Sequence, residues 1–224
     1  MLLVRHGRTT ANAGGILAGR QPGVHLDDTG REQAAALGGH LAEVPLVAAV
    51  TSPLERCRET LDLLLGDRPD VPVHVDERLS ECDYGDWSGR SLKELAREPA
   101  WKVVQGHASA AGFPGGETLL QMQGRAVDAI RDWNTVLGDS AVYLVVSHGD
   151  VIKSILADAL GMHLDQFQRI RVDPASTSVV EYTVLRPFVD RMNDTGPGAA
   201  RLATRRPRRG RRRGEAVVGG GGGS

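Results

Sequence analysis

An α/β fold is predicted by two observations. Apolar runs that read as strands alternate with stretches of helical periodicity along most of the chain. Two of those runs also finish alike: Leu2-Leu3-Val4 leads into Arg5-His6-Gly7, and Ala141 to Val146 leads into Ser147-His148-Gly149. One His-Gly alone carries no message. Two strand ends of this kind, with arginines at hand, describe a phosphate pocket whose nucleophile is histidine.

The elements follow in order. Residues 2–5 read as a buried strand, and Gly30 to Val44 as a helix capped near Asp28 or Thr29, with Ala34, Leu37, Leu41 and Val44 on one face. Leu46 to Thr51 is a short apolar strand, and Ser52-Pro53 is expected to cap and open the next helix, which carries Leu54, Leu61, Leu64 and Leu65. Val71 to Val75 alternates as a strand. Ser91 with Glu94 forms a capping-box pattern for a helix reaching Val104, interrupted at Pro99. Pro114-Gly115-Gly116 is a turn, Glu117 to Val136 a long helix and Ala141 to Val146 a central strand. Val151 to Leu160 is helical, and Thr177 to Val184 is the last strand, near an edge.

The 224 residues fit one domain with a full core, and 41% hydrophobic with 25% charged residues is ordinary for a globular protein. No apolar run is long enough to span a membrane, and no signal peptide precedes the first strand, so a cytoplasmic protein without membrane contact is expected. Cys57 and Cys82 agree with a reducing compartment and read as packing residues. The spacings give no metal site, and no cofactor is expected. From Asp190 onward nine arginines face three acids, a balance of +6 that leaves −7 for residues 1–189. The expected organisation is therefore a domain over 1–189 and a disordered Arg/Gly-rich tail over 190–224. The run Arg205 to Arg213 offers nucleic acid or another polyanion a site, although a solvated tail without a dedicated partner is the preferred reading.

A phosphomonoester site without a metal needs fixed positive donors, an in-line nucleophile and a proton for the leaving oxygen. Arg5 and Arg56 supply planar forks that match phosphate. His6 follows a strand directly, where the backbone can fix its tautomer. His148 opens a helix, whose free N–H groups favour an anion, and is expected to donate to the phosphoryl group in the transition state. Glu81 is the best proton donor, with Tyr84 and Trp87 nearby to shield it; Asp83 is the rival, Asp86 a weaker one, and spacing does not separate them.

Taken together the motifs resemble the histidine phosphatase superfamily, the phosphoglycerate mutase-like proteins, from about Leu2 to Tyr182. They are Arg5-His6-Gly7-Arg8-Thr9 with Asn12, Gly19-Arg20, Leu26-Asp27-Asp28-Thr29-Gly30, Ser52-Pro53-Leu54 with Arg56 and Thr60, Glu81 with Gly85, Trp87 and Gly89, Pro114 to Thr118, and Ser147-His148-Gly149. The resemblance implies a three-layer α/β/α sandwich with a mostly parallel central sheet and a phosphohistidine intermediate on His6. It also implies phosphoryl binding by Arg5, Asn12, Arg56 and His148, with Glu81 as acid and then base. Two departures stand out. Arg8 adds a cation near the mouth, with a more anionic substrate and a plain surface arginine as equal readings. Asp173-Pro174-Ala175-Ser176 replaces an asparagine-led loop. His25, His40, His74, His107 and His163 match no catalytic position.

Mutases of the family resemble one another in a long basic insertion after the acid. Here 33 residues separate Glu81 from Gly115, which favours a hydrolase over a mutase. Trp101, Lys102, His107 and Phe113 in that span are expected to form a lid over a small phosphorylated metabolite. A sugar phosphate, a phosphorylated acid and an α-ribazole-like phosphate all remain open. A homodimer is allowed. A non-catalytic polyanion binder working through the tail is the remaining alternative, disfavoured because every core position is present.

Overall fold

The computed structural model describes residues 1–138 and 140–196. Its strands are β1 (Leu2–Arg5), β2 (Ala48–Thr51), β3 (Val73–Val75), β4 (Tyr143–Ser147), β5 (Thr177–Tyr182) and β6 (Pro187–Asp194). Its helices are α1 (Thr10–Gly14), α2 (Asp28–Leu41), α3 (Glu55–Leu65), α4 (Leu92–Leu95), α5 (Trp101–Gly106), α6 (Leu119–Leu137) and α7 (Gly149–Ala159). The strands form one sheet in the order β3-β2-β4-β1-β5-β6. The first four run parallel, and β5 pairs antiparallel with both β1 and β6.

Side chains alternate across a strand, and that period sorts the core into two halves. Leu2 and Val4 of β1, Ala49 of β2, and Leu144 and Val146 of β4 pack with Leu37 and Leu41 of α2 and Leu61 and Leu64 of α3. Leu3, Ala48, Val50, Tyr143 and Val145 face the other way, onto Met122, Ala126 and Ile130 of α6 and Ile152 and Ile155 of α7. The result is the expected α/β/α sandwich.

Register then positions the chemistry. Arg5 pairs with Ser147 and Thr51 with Val146, so β1, β4 and β2 finish side by side at one sheet edge. The residues that follow, His6, His148 and Ser52, emerge together there. Ligand sites in open parallel sheets form at such carboxyl ends.

Several boundaries differ from the sequence reading. Helix α2 begins at Asp28 because Asp27 is the cap, its Oδ1 accepting the Gly30 N–H at 2.8 Å. Ser52 does not cap α3. That helix starts at Glu55 behind Leu54 with no side-chain cap, and the Ser52 hydroxyl is engaged with His148 instead. Helix α6 starts at Leu119, with Thr118 and Gln121 forming a reciprocal capping box. The expected 189/190 limit falls inside β6, which carries the sheet to Asp194. The arginine run and the glycine-rich end lie outside the described residues.

Candidate active site

The loop after β1 is shaped by two glycines. A Cβ on Gly7 would lie 2.5 Å from the Gly30 carbonyl oxygen, and one on Gly30 would lie 2.0 Å from that of Arg8. Only hydrogen fits where this loop crosses the start of α2. The Thr60 hydroxyl accepts the Gly7 N–H at 3.0 Å and donates to the Arg56 carbonyl at 2.6 Å, which ties the His6 turn to α3. Behind it, Ala175 adopts a left-handed φ of 53° and its N–H donates to the carbonyls of Arg5 and His6. Asn193 of β6 holds the same loop, accepting the Asp173 N–H at 2.6 Å and donating to Asp173 Oδ2 at 3.0 Å.

A narrow cleft opens at this edge, walled by His6, Thr9, Asn12, Arg56, Glu81 and Tyr84, with Ile16, Leu17, Ala18 and Gly19 on its remaining side. Arg5 and His148 lie just behind that wall, fully buried. The rings of His6 and His148 meet edge to face, their centroids 5.3 Å apart. His6 Nδ1–H donates to the Gly7 carbonyl at 2.7 Å, which leaves the lone pair on Nε2. Burial first, then Arg56 and Arg5, hold the His6 pKa well below that of ordinary histidine. The ring is therefore neutral at neutral pH, as a nucleophile must be.

His148 is also held neutral, by burial first and then by Arg56 and His6. Its Nε2 shares a 2.8 Å hydrogen bond with the Ser52 hydroxyl and lies 3.4 Å from Cys57 Sγ. Burial raises the Cys57 thiol pKa to about 12, so it packs as a thiol. Arg56 donates from Nη2 to the Gly19 carbonyl at 2.7 Å, while its buried Nη1 has no protein acceptor. Arg5 donates from Nη1 to the Val172 carbonyl at 2.8 Å. Asn12 uses its Oδ1 to accept the Thr9 N–H at 3.1 Å, which leaves its amide N–H groups for a ligand.

Glu81 lies on the cleft wall, whereas Asp83 and Asp86 do not. Burial first, then the charge of Asp150, raises the Glu81 pKa to about 7, with Arg56 and Arg5 pulling the other way. Its backbone carbonyl accepts Arg20 Nε at 2.8 Å and Arg125 Nη2 at 3.1 Å. Both arginines are gathered by Glu117, whose Oε1 accepts Arg20 Nη2 at 3.0 Å and also the Asp83 N–H at 2.9 Å. Thus Glu117 of the Pro-Gly-Gly-Glu turn aligns the acid-bearing segment, a role the motif did not disclose.

Two expectations are corrected. Arg8 does not line the cleft: its guanidinium donates to Asp27 Oδ2 and to the Thr29 hydroxyl, each at 2.8 Å, stapling the loop to α2. Nor do Trp101 and Phe113 form a lid wall. Trp101 stacks on Trp87, and Phe113 packs edge-on against Tyr84 and Trp87, so both serve the core. Among the described residues, no group of three or more His, Cys, Asp or Glu side chains is placed to hold a metal. No helix among them is long and apolar enough to cross a membrane.

Fold and cleft together define an α/β protein of the phosphoglycerate mutase-like architecture, with His6, Arg56 and Glu81 gathered in one cleft at a sheet edge. The sequence profile of the histidine phosphatase superfamily (branch 1) matches residues 1–195, and the chain belongs to that superfamily. It is 33% identical to glucosyl-3-phosphoglycerate phosphatase of Mycolicibacterium vanbaalenii, over 75% of this chain and 76% of that protein. It is 31% identical to adenosylcobalamin/alpha-ribazole phosphatase of Escherichia coli, over 80% and 88%. It is also 30% identical to 2,3-bisphosphoglycerate-dependent phosphoglycerate mutase 2 of Gloeobacter violaceus, over 91% and 98%. The solved structure of Bacillus stearothermophilus YhfR superposes with a TM-score of 0.80 at 28% identity, covering 86% of this chain and 96% of that one.

Proposed function

We propose that the chain hydrolyses a small phosphomonoester through a phosphohistidine on His6. The reading is carried by one observation: the Nδ1–H of His6 is committed to Gly7, so the Nε2 lone pair shares a cleft with Arg56 and Glu81. In the first step Nε2 forms a bond to phosphorus as the ester P–O bond breaks, and the leaving oxygen takes the Glu81 proton. In the second step water attacks phosphorus and gives a proton to Glu81. The P–N bond then breaks and inorganic phosphate leaves. A carboxyl with a pKa of about 7 serves both steps at neutral pH, since neither form is scarce.

Arg5 and Arg56 balance the phosphoryl charge, assisted by the Asn12 amide, and His148 donates as charge grows on the transferring group. The apolar side of the cleft, Ile16 and Leu17, suits a leaving group with a carbon framework beside its phosphate. Sugar phosphates and ribazole-like phosphates, the substrate types in the names of the two phosphatase relatives, head the substrate panel. Phosphoryl transfer of the mutase kind is the second reading. The short Glu81–Gly115 span, occupied by core aromatics rather than a basic pocket, counts against it. Two buried free cysteines fit a cytoplasmic setting.

The test is phosphate release from an aryl phosphate in EDTA, wild type against His6→Ala. Activity that survives the chelator and is lost in the variant supports the mechanism. Equal activity in both proteins rejects it.

A further inference from the structure

A second charge cluster lies behind the cleft, and the route above does not use it. Asp150 and Lys153 sit one turn apart on α7 with side chains 0% and 1% exposed, Lys153 Nζ 3.4 Å from Asp150 Oδ1. Lys153 also donates to Gln168 Oε1 at 3.1 Å and stands 5.8 Å from the centre of the Phe167 ring. The second Asp150 oxygen, Oδ2, accepts the Tyr84 hydroxyl at 2.7 Å. Tyr84 is itself part of the cleft wall beside Glu81. A cleft-lining phenol is therefore anchored on a buried carboxylate.

Stability alone does not account for such a pair. The desolvation of two buried ions offsets most of their attraction, and a well-packed apolar pair often serves the fold as well. What an apolar pair lacks is charge near the site. The Glu81 carboxyl accepts the Cys82 N–H on Oε1 at 2.9 Å and is faced by Arg56 from α3 and Arg5 from β1, all of which favour its ionised form, while burial and Asp150 from α7 oppose it. Its neighbours on other elements are the neutral His6 and His148, and Arg20 and Arg125, which hold its carbonyl and are themselves paired with Glu117. Asp150 in turn is faced by Tyr84, Lys153 and Arg5. Burial alone favours the protonated acid, and the negative charge on the α7 side adds to it against the pull of the two phosphate-binding arginines.

We propose that Asp150 is a positioning residue for proton transfer by Glu81: anchored by Tyr84 and balanced by Lys153, it holds the charge that keeps the acid's proton in place. The inference rests on Glu81 being the acid and base of the reaction. It adds a buried charge that works with burial to keep a carboxyl protonated beside two arginines.

The experiment is the pH profile of kcat/KM with phenyl phosphate for wild type, Glu81→Gln, Asp150→Asn, Lys153→Met and the Asp150→Asn/Lys153→Met double variant. The alkaline limb is expected to move down by about one pH unit in Asp150→Asn and up by a smaller amount in Lys153→Met. In the double variant the two shifts oppose each other and the limb falls between those of the single variants, which a merely structural role does not produce. If Glu81→Gln keeps the wild-type limb, the limb does not belong to Glu81 and the underlying reading fails. If Glu81→Gln lacks the limb while a folded Asp150→Asn retains it unmoved, the Asp150 inference alone is overturned. Should Asp150→Asn not fold, Lys153→Met decides: an upward shift supports the inference and an unmoved limb overturns it.

Discussion

The rings of His6 and His148 lie edge to face at 60°, although 141 positions separate them in the chain. Two parallel neighbouring strands produce this meeting, because β1 and β4 end in register and each hands its next residue to the same edge. Both rings are kept neutral by the same causes, burial and the arginines beside them. The proposed nucleophile and the proposed donor are thus built from one residue type, distinguished by what each nitrogen touches.

Arg56 already spends one arm on the Gly19 carbonyl and keeps Nη1 without a protein partner. Lysine can reproduce the charge but not both contacts. Arg56→Lys is expected to lower kcat/KM by roughly 10²-fold with little change in melting temperature, read by steady-state kinetics and thermal unfolding.

The raised pKa of Glu81 predicts a pH-dependent stability effect of definite sign. Between its ordinary value of 4.5 and about 7 the folded state binds the Glu81 proton more tightly than the unfolded state does. Stability from this group is therefore present below 4.5 and lost as pH rises through 7. Glu81→Gln removes the penalty of burying the ionised form. Its melting temperature relative to wild type should be higher at pH 8 than at pH 5, measured by thermal unfolding at both.

Gly30→Ala places a methyl 2.0 Å from the Arg8 carbonyl oxygen, where backbone must yield. The expected cost is about 1–3 kcal/mol, together with loss of activity because the displaced loop carries His6. Denaturant unfolding and phosphate release check both parts. Gly39→Ala on the same helix, with no atom within 4 Å of the added carbon, should leave both intact.

Arg125 donates to the carbonyls of Arg78 at 2.6 Å, Ser80 at 2.7 Å and Glu81 at 3.1 Å. Arg125→Met leaves these acceptors and Glu117 without their common donor. Destabilisation of roughly 2–3 kcal/mol is expected, with a larger loss of kcat for alkyl than for nitrophenyl phosphate, since only the former needs a well-placed acid. Denaturant unfolding and the kcat ratio for the two substrates test it.

How much of this was legible in the sequence depends on what each residue announces. The strands that build the site are unbroken apolar runs, so β1 and β4 and the histidines after them could be read directly. Edge strand β6 could not, because Asp190, Arg191 and Asp194 in Pro187–Asp194 look like the onset of a charged tail. Asp150 and Lys153 were equally hidden. Charges on a helix ordinarily mark its solvated face, yet every residue of α7 except Asp158 is buried. Ser52 followed by proline has the look of a helix cap, and only the approach of β4 reveals that its hydroxyl serves His148. Motifs name residues; they do not say which face a helix turns inward, or which strand end arrives from far along the chain.

Asn193 grips Asp173, and the loop it steadies reaches the carbonyls of Arg5 and His6 through Ala175. The proposed nucleophile, His6, is therefore braced by the last strand before the arginine-rich segment. Anyone trimming that segment should cut after Gly196. A cut at residue 189 would remove most of β6 and loosen the support of the catalytic turn, so that a protein meant only to lose its tail would lose its turnover as well.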